Sequence, residues 1–207
     1  MKIPHNIPRV EALSDAIFAF ASTLMVVSLD LSGDLLSFEN QSSQFFSFGI
    51  SFFVLILIWK AHYDFFRRSS YMDNWILALN SVFLFLVLYF IFPLKSLISS
   101  FFHQGMEVDS LSKIFVMYGM GFTFLFLCLS LMYYRAYKKD EKSQKKLKLL
   151  EKTRHFGVFV IVGLISILLS LLNIGVDFGL PGYIYVLIGP LSYLNSIRFN
   201  KKYLSSP

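Results

Sequence analysis

Six apolar stretches divide the chain, near residues 11–31, 45–66, 73–99, 112–137, 155–174 and 182–200, and the connections between them alternate in charge. A bilayer core of ~30 Å is crossed by about 20 helical residues at a rise of about 1.5 Å each, so every stretch is long enough to span. No strand-like alternation competes with helix over these segments. With 56% hydrophobic residues and 24 Phe in 207 positions, a water-soluble fold could hardly keep its surface polar. The expected architecture is an all-α membrane protein, a single six-helix transmembrane domain over 1–207. No internal repeat supports an inverted-repeat transporter.

Charge placement sets the expected orientation. The two chain ends and the second and fourth connections hold 17 of the 19 Lys and Arg; the other connections hold Lys95 and Lys113 beside Asp30, Asp34, Glu39, Glu107, Asp109 and Asp177. The positive-inside rule then puts both termini in the cytoplasm of a multi-pass protein of the cell inner (plasma) membrane. The net charge of +6 follows this topology, so no nucleic-acid partner is expected. Arg9, Glu11 and Asp15 precede the first apolar run and no small-residue cleavage site follows it, so the first helix is expected to be retained. The basic block 135–154 is expected to continue the fourth helix and turn near Thr153, as a solvated anchor that can also meet anionic lipid. Gly33 and Gly105 are expected to stop helices in the outer loops. The lone Cys128 lies in an apolar run and reads as a packing residue.

The first segment, RVEALSDAIFAFASTLMVVSLDL from Arg9, differs from the others. It mixes small and hydroxylated residues with bulky ones and carries charge at its start, where a lipid anchor would be Leu, Ile and Val all round. Ionisable residues at such a position are functional candidates. At 3.6 residues per turn Ala16, Phe20, Thr23, Val27 and Leu31 share one stripe. One helix cannot enclose a pathway, so a pore along that stripe requires a closed ring of subunits. Apolar rings gate by dewetting and hydroxyl rings replace part of an ion's hydration shell, which places permeant cations near Thr23. Asp30, Asp34 and Glu39 at the outer mouth would concentrate them.

Polar residues gather at one depth. Trp59 and His62, three apart, face the same way at the cytoplasmic end of the second span, level with Ser14 and Asp15. In lipid each polar group needs a partner, so these can form a buried cluster. Asn80 in the third span is an amide of the kind that locks helices together, and Pro93 marks a kink or helix end. Enzyme chemistry is thin: the four His fall in different segments without metal-ligand spacing, and no nucleophile elbow, P-loop or dinucleotide fingerprint is present. No cofactor is expected. His62 and Asp64 form a weak HxD pair.

These residues resemble a known pattern. Arg9, Leu13, Ser14, Asp15 and Thr23 are similar to the first helix of the transmembrane protein 175 potassium channels, an Arg followed after four residues by Phe-Ser-Asp and then a small-residue helix with a Thr. Trp59 to His62 resembles the family's Trp-x-x-His, and Leu79 to Pro93 its third helix, with Asn80 and Pro93 in register. The likeness covers the first half of the chain. It implies a six-helix subunit and a homotetramer in the bilayer with the first helices around the axis. It also implies potassium permeation without a TVGYG filter, which this chain lacks. The resemblance further implies a hydrogen-bonded cluster of Arg9, Ser14, Trp59 and His62, with Asp15 nearby, and a hydrophobic constriction at Phe20. Two positions depart: Leu13 stands for the hallmark Phe, and Phe20 for an aliphatic residue.

Two other functions fit the same residues. The pore could conduct protons with His62 or Asp15 as titrating groups. Alternatively, the chain could be a scaffold or enzyme acting at the cytoplasmic face through His62, Asp64 and the basic block.

Overall fold

A computed structural model describes residues 7–27, 38–101, 107–140 and 146–203, with backbone only at 38–41 and 43. Five long helices run in order: α1 (Ile7–Val27), α2 (Phe38–Arg68), α3 (Asn74–Ser100), α4 (Val108–Lys139) and α5 (Lys146–Leu171). All five contain segments long and apolar enough to cross a membrane. After a single 3₁₀ turn at Val176–Phe178 the chain is helical from Leu180 to Tyr203, as α6 (Leu180–Tyr183), a 3₁₀ stretch at Ile184–Leu187 and α7 (Ile188–Tyr203). The sixth predicted span, 182–200, falls inside this run. Pro190 explains its interruption: the ring removes one donor and crowds the carbonyl four residues back, at Val186, and the tighter 3₁₀ pattern relieves both.

α4 forms the middle of the bundle, packed on α3 along one side and α5 along the other. Leu125, Leu129, Met132, Tyr133 and Ala136 are fully buried there. Close approach is achieved with small residues, as membrane helices require where no hydrophobic effect drives them together. A Cβ on Gly119 would lie 2.7 Å from Ile167 Cγ1, and one on Gly121 would lie 2.7 Å from the Phe90 ring. Gly163 of α5 sits directly against the Thr123 hydroxyl of α4. The outward faces stay apolar, with Phe53, Phe85, Leu168 and Val186 exposed, a surface suited to lipid contact.

The ends of α2 and α4 meet, which gathers Arg67, Arg68, Lys138 and Lys139 at what is termed below the basic end. Basic residues in a helix's last turn complement its dipole. Here the 69–73 loop is clamped. Asp73 caps α3, its Oδ1 accepting the Ile76 N–H at 2.9 Å, while its Oδ2 accepts Arg135 Nη2 at 2.7 Å and Arg135 Nε at 2.9 Å. The buried Asp140 carboxylate accepts the Ser69 hydroxyl and the Ser70 N–H, each at 3.3 Å.

That clamp corrects one expectation. α4 does not continue to a turn near Thr153; it ends at Lys139, where Asp140 leaves helical geometry with ψ 85°, and Thr153 lies within α5. Holding Asp140 against the α2–α3 loop stops the helix there. Pro93 stands inside α3, which runs on to Ser100. Gly33 and Gly105 lie outside the described residues.

Candidate functional site

α1 has two opposite faces. Ser14, Phe18, Ala21 and Met25, spaced four, three and four apart, are buried against α2 and α3. The other face carries Arg9, Leu13, Ala16, Phe20, Thr23 and Val27, all exposed in the single subunit. Phe20 is 55% and Val27 74% exposed. An apolar pattern of this kind would normally turn its bulky residues inward. The stripe read from the sequence is therefore the exposed face of α1 as far as Val27; Leu31, Asp30 and Asp34 lie outside the described residues, as does the Glu39 side chain.

On that face the hydroxyl chemistry is oriented. Thr23 Oγ1 donates to Ala19 O at 3.1 Å, and Ser22 Oγ donates to the same carbonyl at 2.7 Å. With each proton engaged by the helix's own backbone, the oxygen lone pairs remain as acceptors. Acceptor oxygens are what a partly dehydrated cation needs. Beside the stripe, a groove of about 370 Å³ separates α1 from α2, bounded by Phe18, Ser22, Phe52 and Ile56 and closed at one end by Asp15 and Trp59.

The buried side of α1 is tied to its neighbours by polar side chains at the depth the sequence indicated. His62 of α2 meets Asn80 of α3 at 2.6 Å between Nε2 and Oδ1. Since Asn80 Oδ1 is an acceptor, His62 carries its proton on Nε2. Asn80 Nδ2 in turn donates to Ser14 Oγ at 3.2 Å, and Ser14 Oγ donates to Val10 O at 2.8 Å. The chain is directional and crosses three helices. A second tie joins Trp59 Nε1 to Asp15 Oδ1 at 2.8 Å.

Five of the six cluster residues are thus placed in these two ties. Arg9 is exposed on α1, in register with Phe20 eleven residues on. His62 and Asp64 are not brought together. His62 is buried, whereas Asp64 pairs with Lys60 at 3.6 Å and Arg68 at 3.8 Å. No group of three metal-ligating side chains occurs among the described residues. The sequence reading missed the aromatic cage of His62. Phe83 stacks on the imidazole with centroids 4.9 Å apart and planes 9° apart, and Phe18 and Phe66 close the sides. Phe83 lies three residues after Asn80 on the same helix face, the one signal that could have shown it.

A multi-pass, all-helical membrane protein with an anchored yet outward-open first helix is the class this geometry defines. The family model described as endosomal/lysosomal potassium channel TMEM175 matches residues 9–93, the stretch that holds both ties. A protein named potassium channel from Marivirga tractuosa is 34% identical over 146 residues, which span 63% of this chain and 59% of that relative. The fold agrees over a longer extent. A structure of a variant of the potassium channel MtTMEM175, in complex with a nanobody–MBP fusion protein, superposes with a TM-score of 0.73 at 28% identity, covering 97% of this chain and 95% of that one. A second, of a lysosomal potassium-selective channel TMEM175 homolog from Chamaesiphon minutus, gives 0.63 at 21% identity over 88% of this chain and 97% of that one, a likeness of fold. In sequence over residues 9–93 and in fold over nearly all its length, the chain is similar to TMEM175 channels.

Proposed function

We propose that the chain is the subunit of a potassium-selective cation channel, a homotetramer in which four α1 helices surround a pore without a TVGYG filter. Phe20 forms the hydrophobic constriction, and Thr23 supplies the oxygens that potassium meets in passing. Val27 continues the lining towards Leu31. The observation that carries this reading is the division of α1 into a face fixed to α2 and α3 and an exposed face with Phe20 and Thr23. Such a face needs company, and a ring of identical helices supplies it. The relatives named potassium channels support the choice of ion. The basic end then lies in the cytoplasm of a plasma membrane, with both termini there.

The polar chain through His62, Asn80 and Ser14 ends on the Val10 carbonyl within α1. That favours a structural tie over a proton wire. Separation of His62 from Asp64 removes the motive for a catalytic reading at the same end.

Purified protein in liposomes tests the proposal. A potassium gradient is expected to collapse, and the collapse should be faster with potassium than with sodium as the permeant ion. Tight vesicles across a range of pH and voltage would overturn it, as would a monomer by cross-linking in native membranes.

A further inference from the structure

Between the basic ends of α5 and α7 lies a pocket of about 260 Å³ that has no part in the α1 site. Glu151, Lys152 and His155 from α5 and Ser192, Tyr193, Asn195 and Ser196 from α7 line it, bringing polar groups to walls that are otherwise apolar. One internal pair is made, Ser196 Oγ donating to Glu151 Oε1 at 3.2 Å. The Ser192 hydroxyl is sealed from solvent and meets no hydrogen-bond partner in the protein. Closed to water, that oxygen is equally closed to an atom in the pocket, so the groups an occupant can meet are those of the other lining residues.

Depth and charge narrow the occupant. His155 opens the apolar part of α5, so the pocket sits where head groups meet hydrocarbon, and the exposed Tyr193 beside it is an interfacial residue type. Arg198, Lys201 and Lys202 follow on α7 as exposed cations that draw anionic groups to this end. Within the pocket Lys152, His155 and Asn195 are donors suited to phosphate oxygens. Glu151 is not: a carboxylate facing a purely anionic head group repels it. A head group that also carries an ammonium resolves the conflict. The volume falls below the range of about 300–1,000 Å³ typical of drug-sized ligands, which suits a head group whose acyl chains stay outside.

We infer that this pocket binds a phospholipid head group of the phosphoethanolamine class. The phosphodiester takes the Lys152, His155 and Asn195 donors, and the primary ammonium donates to Glu151. A choline head group has no N–H to give that carboxylate, and a glycerol head group has no cation.

Native mass spectrometry of the full chain, stripped of lipid by detergent exchange, tests this. The protein is incubated with phosphatidylethanolamine, phosphatidylcholine or phosphatidylglycerol of the same acyl chains, and separately with glycerophosphoethanolamine and inorganic phosphate as soluble competitors. Phosphatidylethanolamine should be retained over the other two by about tenfold or more, the weight of one charge-assisted hydrogen bond. Glu151→Gln should erase its advantage over phosphatidylcholine. Lys152→Gln should weaken all three, with Lys152→Arg restoring them. Asn195→Ala should weaken all three as well, because the phosphodiester is common to them. Equal retention of the three lipids by the unaltered protein overturns the inference, as does an adduct insensitive to Glu151→Gln and Asn195→Ala. Displacement by inorganic phosphate also overturns it, because the occupant is then a soluble anion.

Discussion

His62 Nε2 and Asn80 Oδ1, on different helices and eighteen residues apart, approach to 2.6 Å inside a cage of three Phe rings. Neither group has water to fall back on. Removing one partner therefore strands the other, whereas removing both with apolar residues leaves nothing unpaired. Polar pairs in membrane bundles couple by about 0.6 kcal/mol on average and up to about 1.7 kcal/mol. His62→Phe and Asn80→Leu should each destabilise, and the double variant should recover an amount in that range. Unfolding titrations in mixed micelles measure it. Strict additivity would show that the two side chains do not depend on each other.

The clamp at the basic end gives stability a pH dependence. Burial alone would raise the Asp73 carboxyl, but the Ile76 N–H and the Arg135 guanidinium outweigh it and hold the group below the ordinary carboxylate range. The unfolded chain thus takes up the proton more readily than the folded one. The contribution is complete above the unfolded value of about 3.9 and is lost as pH falls through the lower folded value. Asp73→Asn keeps a capable cap and should flatten this acid limb. Asp73→Ala should do the same and in addition cost about 1 kcal/mol for the missing cap. Thermal denaturation against pH distinguishes them; an unchanged acid limb in Asp73→Asn would assign the dependence to another carboxylate.

Two glycines make a matched pair. A Cβ at Gly157 meets nothing within 4 Å, while one at Gly121 lands 2.7 Å from the buried Phe90 ring. Gly157→Ala should stabilise by up to about 1 kcal/mol through helix propensity. Gly121→Ala gains the same propensity but must displace the ring, an overpacking cost of about 1–3 kcal/mol. Melting temperatures should move in opposite directions, and a stabilised Gly121→Ala would mean that α3 and α4 separate freely.

Ser14, Asp15, Trp59, His62 and Asn80 were legible as a cluster because membrane topology fixes depth. Once span ends are known, residues at one level must pair or pay for desolvation. The succession of long apolar helices followed from length and composition, while α2, α4 and α5 begin ahead of the expected 45, 112 and 155. What stayed hidden depends on which faces meet. Arg135 reaching Asp73 and Ser69 reaching Asp140 span 62 and 71 residues, and no periodicity encodes that. The expected turn at Thr153 failed on this account: the basic block offered no breaker, and the stop comes from a tertiary contact at Asp140.

That stripe makes separable predictions under the proposed pore. Phe20 contributes bulk without polarity, so Phe20→Ala should widen and wet the constriction and raise single-channel conductance several-fold without altering the ion preference. Thr23 contributes an oxygen whose proton is already engaged at Ala19. Thr23→Val keeps the shape and removes that oxygen, so it should reduce discrimination of potassium over sodium, while Thr23→Ser should retain it. Arg9 supplies charge at the basic end of the same face, where identical helices would meet; Arg9→Ala should weaken assembly or opening and leave the fold of each subunit intact. Bilayer recordings and cross-linking separate the three effects. If Thr23→Val conducts with unchanged selectivity while Phe20→Ala changes nothing, ions pass along some other surface of the bundle, and the exposed face of α1 serves association alone.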